Sequence, residues 1–146
     1  MADIKRSTVQ WQGEGMEFRA QTAGGYPFIM HTPSNEEGAT PMEYLLAGVA
    51  GCTAMDVISI LQKKRQKVYA FEVQIEGTQA DSDPHVFTHA TITYILRGAQ
   101  IDPAAVERAI ELSATKYCSA QAMFERAGVV MQSSYVIEEM AAQPSA

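Results

Sequence analysis

Short alternating stretches separated by glycine open the chain. Ile4–Trp11, Met16–Thr22 and Tyr26–His31 are strand-like, with Gly13-Glu14-Gly15 and Gly24-Gly25 between them. Glycine supplies the positive φ that tight turns need, so these segments predict an antiparallel meander. Thr32–Ala39 is a loop by composition. Thr40-Pro41-Met42-Glu43 then reads as a capping box with proline at the first helical position. The helix it starts is predicted to run to about Arg65, about 37 Å at 1.5 Å per residue. Two longer strands come next. Phe71, Val73 and Ile75 alternate with polar residues in Tyr69–Gln79, and Ala90, Ile92, Tyr94 and Leu96 do so in Val86–Arg97. Ala80–Pro84 joins them as a hairpin loop. Asp102-Pro103 repeats the cap-plus-proline start and opens a helix through Val106, Ala109, Ile110 and Ser113. A break near Cys118 precedes a short helix, Ser119–Ala127, closed by Gly128, and Val129–Glu139 is the last strand. The order predicts one α+β domain over 1–140, with 141–146 as a disordered tail.

The central helix is apolar on every side. Leu45, Val49 and Cys52 share one face, and Leu46, Ala50, Thr53 and Val57 another. A helix of that kind must be covered all round, and one small sheet covers one side. Ala47, Gly48, Ala50, Gly51 and Ala54 would let another backbone approach closely, so an obligate homodimer is expected. Tyr44–Leu61 is barely long enough to span a bilayer, and Asp56 near its centre would be costly there. The expectation is a buried helix and no membrane partner.

With 146 residues and 47% hydrophobic content the chain suits a single core. A net charge of −6 argues against a nucleic-acid partner. Lys63, Lys64, Arg65 and Lys67 close the long helix, where they complement the negative end of its dipole. The opening Met1–Lys5 has no apolar signal core, and two cysteines make no disulfide framework. A cytoplasmic protein with reduced thiols is expected.

Candidate chemistry rests on Cys52, inside the apolar helix, and Cys118, in Lys116-Tyr117-Cys118-Ser119. A cysteine inside an apolar helix is more often core filling than a nucleophile. The cysteine spacing is no metal motif, and His31, His85 and His89 are scattered, so no metal or other cofactor is expected. Asp56 lies one helical turn after Cys52. A carboxylate there disfavours the thiolate, so activation calls for a cation. Arg19 is the first candidate; Arg97, Arg108 and Lys116 are alternatives.

The run from Pro41 to Val57, containing Gly48-Val49-Ala50-Gly51-Cys52-Thr53-Ala54-Met55-Asp56, resembles the central-helix signature of the OsmC/Ohr family. Ile60–Gln66, Pro84–His89 and Leu112–Ser119 are similar to its YhfA-like branch. The resemblance implies an intertwined homodimer in which antiparallel sheets wrap two long central helices, with a site at each interface. It also implies thiol peroxidase chemistry on hydrogen peroxide or organic hydroperoxides. Cys52 would attack, Cys118 would resolve, and an external dithiol would restore the pair. Lipoyl-bearing proteins serve as that dithiol in parts of the family. Two features depart from the hydroperoxide-reducing branches. Their glutamate directly follows the proline, where this chain has Met42, and Glu43 comes one residue later. One residue is about 100° of helix, so Glu43 is a cap first and a catalytic candidate second. Their arginine sits in a glycine-rich turn further upstream than Arg19. YhfA-like chains can have arginines before the hairpin proline, where this chain has Gln79 and Ala80. The expected site is thus Cys52 and Cys118, with Glu43 and Arg19 as candidate assistants. The rival expectations are a non-enzymatic, stress-related protein binding a small hydrophobic ligand in the dimer crevice, and a disulfide or thioester exchange on the same scaffold.

Overall fold

The computed structural model describes residues 2–141. Its elements run β1 (Ser7–Trp11), β2 (Glu17–Thr22), β3 (Phe28–His31), α1 (Pro41–Lys63), β4 (Lys67–Gln79), β5 (Phe87–Ala99), α2 (Pro103–Leu112), a π-helical turn (Ser113–Tyr117), α3 (Ser119–Arg126) and β6 (Val130–Glu139). The α+β expectation holds, element by element. Residues 142–146, most of the expected tail, lie outside the described residues.

The chain groups into two compact units, Met1–Leu45 and Leu46–Ala146. In the first, β1, β2 and β3 form an antiparallel meander, as the glycine turns predict. Ala20 is its one buried residue among those described, and Val9, Trp11 and Met16 are exposed. The unit therefore has almost no core of its own. Its last residues start α1 as expected: the Thr40 amide donates to Glu43 Oε1 at 3.0 Å, and the Glu43 amide donates to Thr40 Oγ1 at 3.3 Å. Tyr44 Oη donates to the Ile29 carbonyl at 2.6 Å and its ring meets Phe28, which ties this cap to β3.

The second unit holds the core. Val49, Thr53, Val57 and Leu61 recur every four residues along α1 and are buried. Val49, Val57 and Leu61 cluster with Ile92, Tyr94 and Leu96 of β5 and Val106 and Ala109 of α2. Only this stripe of α1 is covered within one chain; Leu45 and Met55 remain 51% and 71% exposed. α1 ends earlier than expected. Arg65 takes the left-handed conformation, φ 58°, its amide bonds to Gln62, and the Gln66 amide bonds to Leu61. This is a Schellman ending on a residue other than glycine, which the sequence does not announce.

β4 and β5 pair antiparallel, but β6 joins β5 in parallel. The expectation of purely antiparallel sheets is corrected there. The segment α2–π turn–α3 is a crossover that returns the chain to the starting end of β5, and a crossover of that length produces parallel neighbours. Gly98 is required in β5, because a Cβ there would collide with the Lys67 carbonyl oxygen.

Candidate active site

α1, the π turn and α3 bring three reactive groups of the second unit together. The sulfurs of Cys52 and Cys118 and a carboxylate oxygen of Asp56 all lie within 4.8 Å of one another. Cys52 and Asp56 are four residues apart on α1 and so share a face. Cys118 arrives from far along the chain. The π turn makes this possible, since the Cys118 amide bonds to the Ser113 carbonyl, five residues back, at 2.8 Å. A single wide turn of this kind inserts a residue into a helix and re-aims the side chains beyond it.

Cys118 then serves as the N-cap of α3, its Sγ accepting from the Gln121 amide at 3.3 Å. It is 3% exposed, and burial pushes its thiol up to about 11. The Gln121 amide pulls the other way, while nearby Cys52 and Asp56 add to the rise. Cys52 is only partly buried. The two thiols therefore differ in exposure: Cys52 is partly exposed and Cys118 is buried.

A buried hydroxyl chain ends on Asp56. Tyr94 Oη and Thr53 Oγ1 are 2.7 Å apart, Thr53 Oγ1 and Ser113 Oγ 2.8 Å, and Ser113 Oγ donates to Asp56 Oδ2 at 3.0 Å. Each hydroxyl has one proton. Ser113 gives its proton to Asp56, so Thr53 must donate to Ser113, and Tyr94 to Thr53. Burial raises the Tyr94 phenol above its ordinary value and keeps it a donor. All three hydroxyls thus donate in sequence toward the Asp56 carboxylate. An open cleft of about 420 Å³ begins at Asp56 and is lined by Ile60, Leu112 and Tyr117, with Lys63 and Lys64 further along.

Of the residues singled out from sequence, the fold unites Cys52 and Cys118 and adds Asp56. Glu43 is exposed and engaged as the cap; the Thr40 amide, and then its hydroxyl, hold that carboxyl below the ordinary range. Arg19 is exposed on β2, opposite Gln10 and Ile29 in register. The alternative cations are occupied elsewhere: Arg97 with Glu138 at 2.6 Å, Arg108 with Glu111 at 3.3 Å, and Lys116 over the Tyr117 ring. Sequence reasoning missed Thr53, Tyr94 and Ser113 as members of the site. The one available signal was Asp56, the lone charge in an apolar helix, which needs hydrogen-bond donors around it.

Residues 34–134 match the family model described as OsmC-like protein. The chain is 39% identical over 132 residues to Protein YhfA of Escherichia coli strain K12, covering 90% of this chain and 98% of that one. A crystal structure of a hypothetical protein from Aquifex aeolicus VF5 superposes with a TM-score of 0.84 at 27% identity, over 95% of this chain and 99% of the other. The organic hydroperoxide resistance protein OhrB of Bacillus subtilis shares the fold, with a TM-score of 0.61 at 16% identity, over 92% and 98% of the two chains.

Proposed function

This chain belongs to the OsmC-like family, and from that premise we propose that it is a thiol-dependent peroxidase acting on organic hydroperoxides or hydrogen peroxide. The observation that carries the reading is the pair of sulfurs, Cys52 accessible and Cys118 buried, gathered with Asp56 within 4.8 Å. Fold kinship with a protein named for organic hydroperoxide resistance supports it.

In this reading the substrate approaches the partly exposed Cys52. The Cys52 thiolate attacks the terminal peroxide oxygen and the O–O bond breaks. The alkoxide leaves and takes a proton to become the alcohol, while Cys52 becomes a sulfenic acid. Asp56 accepts the proton of Cys118 as that sulfur attacks the sulfenic sulfur. A disulfide forms, and the departing hydroxide takes that proton back from Asp56 and leaves as water. An external dithiol supplies two electrons and two protons to restore both thiols.

The working form is assigned as a homodimer in the cytoplasm, without nucleic-acid or membrane partners. The first unit exposes Val9, Trp11 and Met16, and α1 leaves Met55 uncovered. Each calls for a further apolar surface against it. A second copy supplies one of matching character.

The test is rapid quenching of reduced protein with one equivalent of cumene hydroperoxide, and then peptide mapping. A fast Cys52–Cys118 disulfide is expected, and Cys118→Ser should instead accumulate a sulfenic acid that dimedone traps on Cys52. Unchanged peroxide consumption by Cys52→Ser would refute the reading. A ligand-binding role has one observation in its favour: a cleft of about 250 Å³ in the first unit, lined by Val9, Met16, Phe18, Met30 and Pro41. A co-purifying hydrophobe together with slow, unselective thiol oxidation would favour it.

A further inference from the structure

We infer that Cys52, Cys118 and Asp56 form a binding site for a single thiophilic divalent cation of the zinc class. Local spacing in the sequence shows no such site, because the third donor comes from the far side of the π turn. Two sulfurs and one carboxylate oxygen within 4.8 Å of one another can supply three of the four donors of a tetrahedral zinc site, with solvent as the fourth. Zinc–sulfur bonds of about 2.3 Å and zinc–oxygen bonds of about 2.1 Å place donors about 3.6–3.8 Å apart. Closing from 4.8 Å to that spacing takes side-chain adjustment of about 1 Å, with the backbone where it stands.

The surroundings meet the requirements of a metal's outer shell. Ser113 Oγ fixes one lone pair of Asp56 at 3.0 Å and leaves the rest of the carboxylate to an ion. The Gln121 amide orients Cys118 Sγ at 3.3 Å. The donor set also states the class of cation. Magnesium and calcium need six or more oxygens, whereas two sulfurs select zinc and its neighbours. On binding, two S–H bonds give way to two metal–sulfur bonds, and the protons pass to solvent. No electron is transferred. The bound ion holds both sulfurs in the reduced state and keeps them from joining, so metal and oxidant compete for one pair of atoms.

The inference does not depend on the peroxidase reading, and its test contains no peroxide. Cobalt(II), as a spectroscopic stand-in, is titrated into the full reduced chain after chelation. One ion per chain is expected, with thiolate-to-cobalt charge transfer in the near ultraviolet, intense tetrahedral visible bands, and displacement by zinc. X-ray absorption of the zinc form should show two sulfurs and two light atoms, a measurement that needs no variant. Asp56→Asn should weaken zinc binding at least tenfold, and Cys118→Ala should lower the charge-transfer intensity per bound cobalt to about half. A cobalt spectrum without that band, a shell of four sulfurs shared between copies, or a band unaltered in Cys118→Ala would overturn the assignment.

Discussion

Replacing Ser113 by alanine should be far more damaging than its small volume change suggests. Ser113 is fully buried and takes part in two hydrogen bonds, one from Thr53 and one to Asp56. Its removal leaves the Thr53 proton without an acceptor and an Asp56 lone pair without a donor. A neutral hydrogen bond contributes about 1 kcal/mol and one to a charged group about 2 kcal/mol, so Ser113→Ala should cost about 3 kcal/mol. Thr53→Val removes two neutral bonds and should cost about 2 kcal/mol. The Thr53–Ser113 bond is common to both changes. The double variant therefore loses three bonds rather than four, and should cost about 4 kcal/mol instead of the additive value of about 5. Urea unfolding of the reduced protein, at one protein concentration and with the slope held common, measures all corners of this cycle. Additive losses, or a Ser113→Ala cost below about 1 kcal/mol, would refute the directed hydroxyl chain.

Thiol alkylation of the metal-free protein near pH 8 should modify Cys52 well before Cys118, because a thiol at about 11 is only about one part in a thousand ionised there, and Cys118 is also buried. Equal labelling rates by peptide mass spectrometry would contradict the burial order. Thr40→Ala should lower stability by about 1 kcal/mol through loss of the α1 cap. Glu43 has its folded pKa depressed, so its contribution is present above the unfolded carboxylate value and fades as pH falls through the folded one. Melting of Glu43→Gln against the parent should thus show a gap at neutral pH that narrows in acid; a constant gap would remove the charge from the argument. Gly98→Ala should destabilise by about 3 kcal/mol or fail to fold, since the strand pair has no space for a methyl at the Lys67 carbonyl; a variant within about 0.5 kcal/mol of the parent would be the contrary result.

Much of the fold was legible because its signals are local. The glycine turns placed the first meander, Thr40 and Asp102 with their following prolines started α1 and α2, and alternation placed β4 and β5. What sequence concealed is non-local or idiosyncratic. The parallel pairing of β6 depends on where a crossover lands, and the Schellman ending uses Arg65 where glycine is usual. The site divides the same way. Cys52 and Asp56 share a helix face by spacing alone, whereas the arrival of Cys118 beside them depends on a π turn that no composition marks. Thr53 and Ser113 carry no local signal of their role, because the partners of their hydroxyls are 41 and 60 residues away in sequence.

The π turn at Ser113–Tyr117 has a further consequence. It makes the number of residues, as much as their identity, a determinant of chemistry. Deleting one residue from this loop of helix would let ordinary winding resume and would swing the thiol beyond it by about 100° around the axis. The protein would keep every side chain that matters and its overall shape, yet lose the encounter between its sulfurs. A gene could thus gain or shed this reactivity by a single codon-length insertion or deletion, without touching a reactive residue.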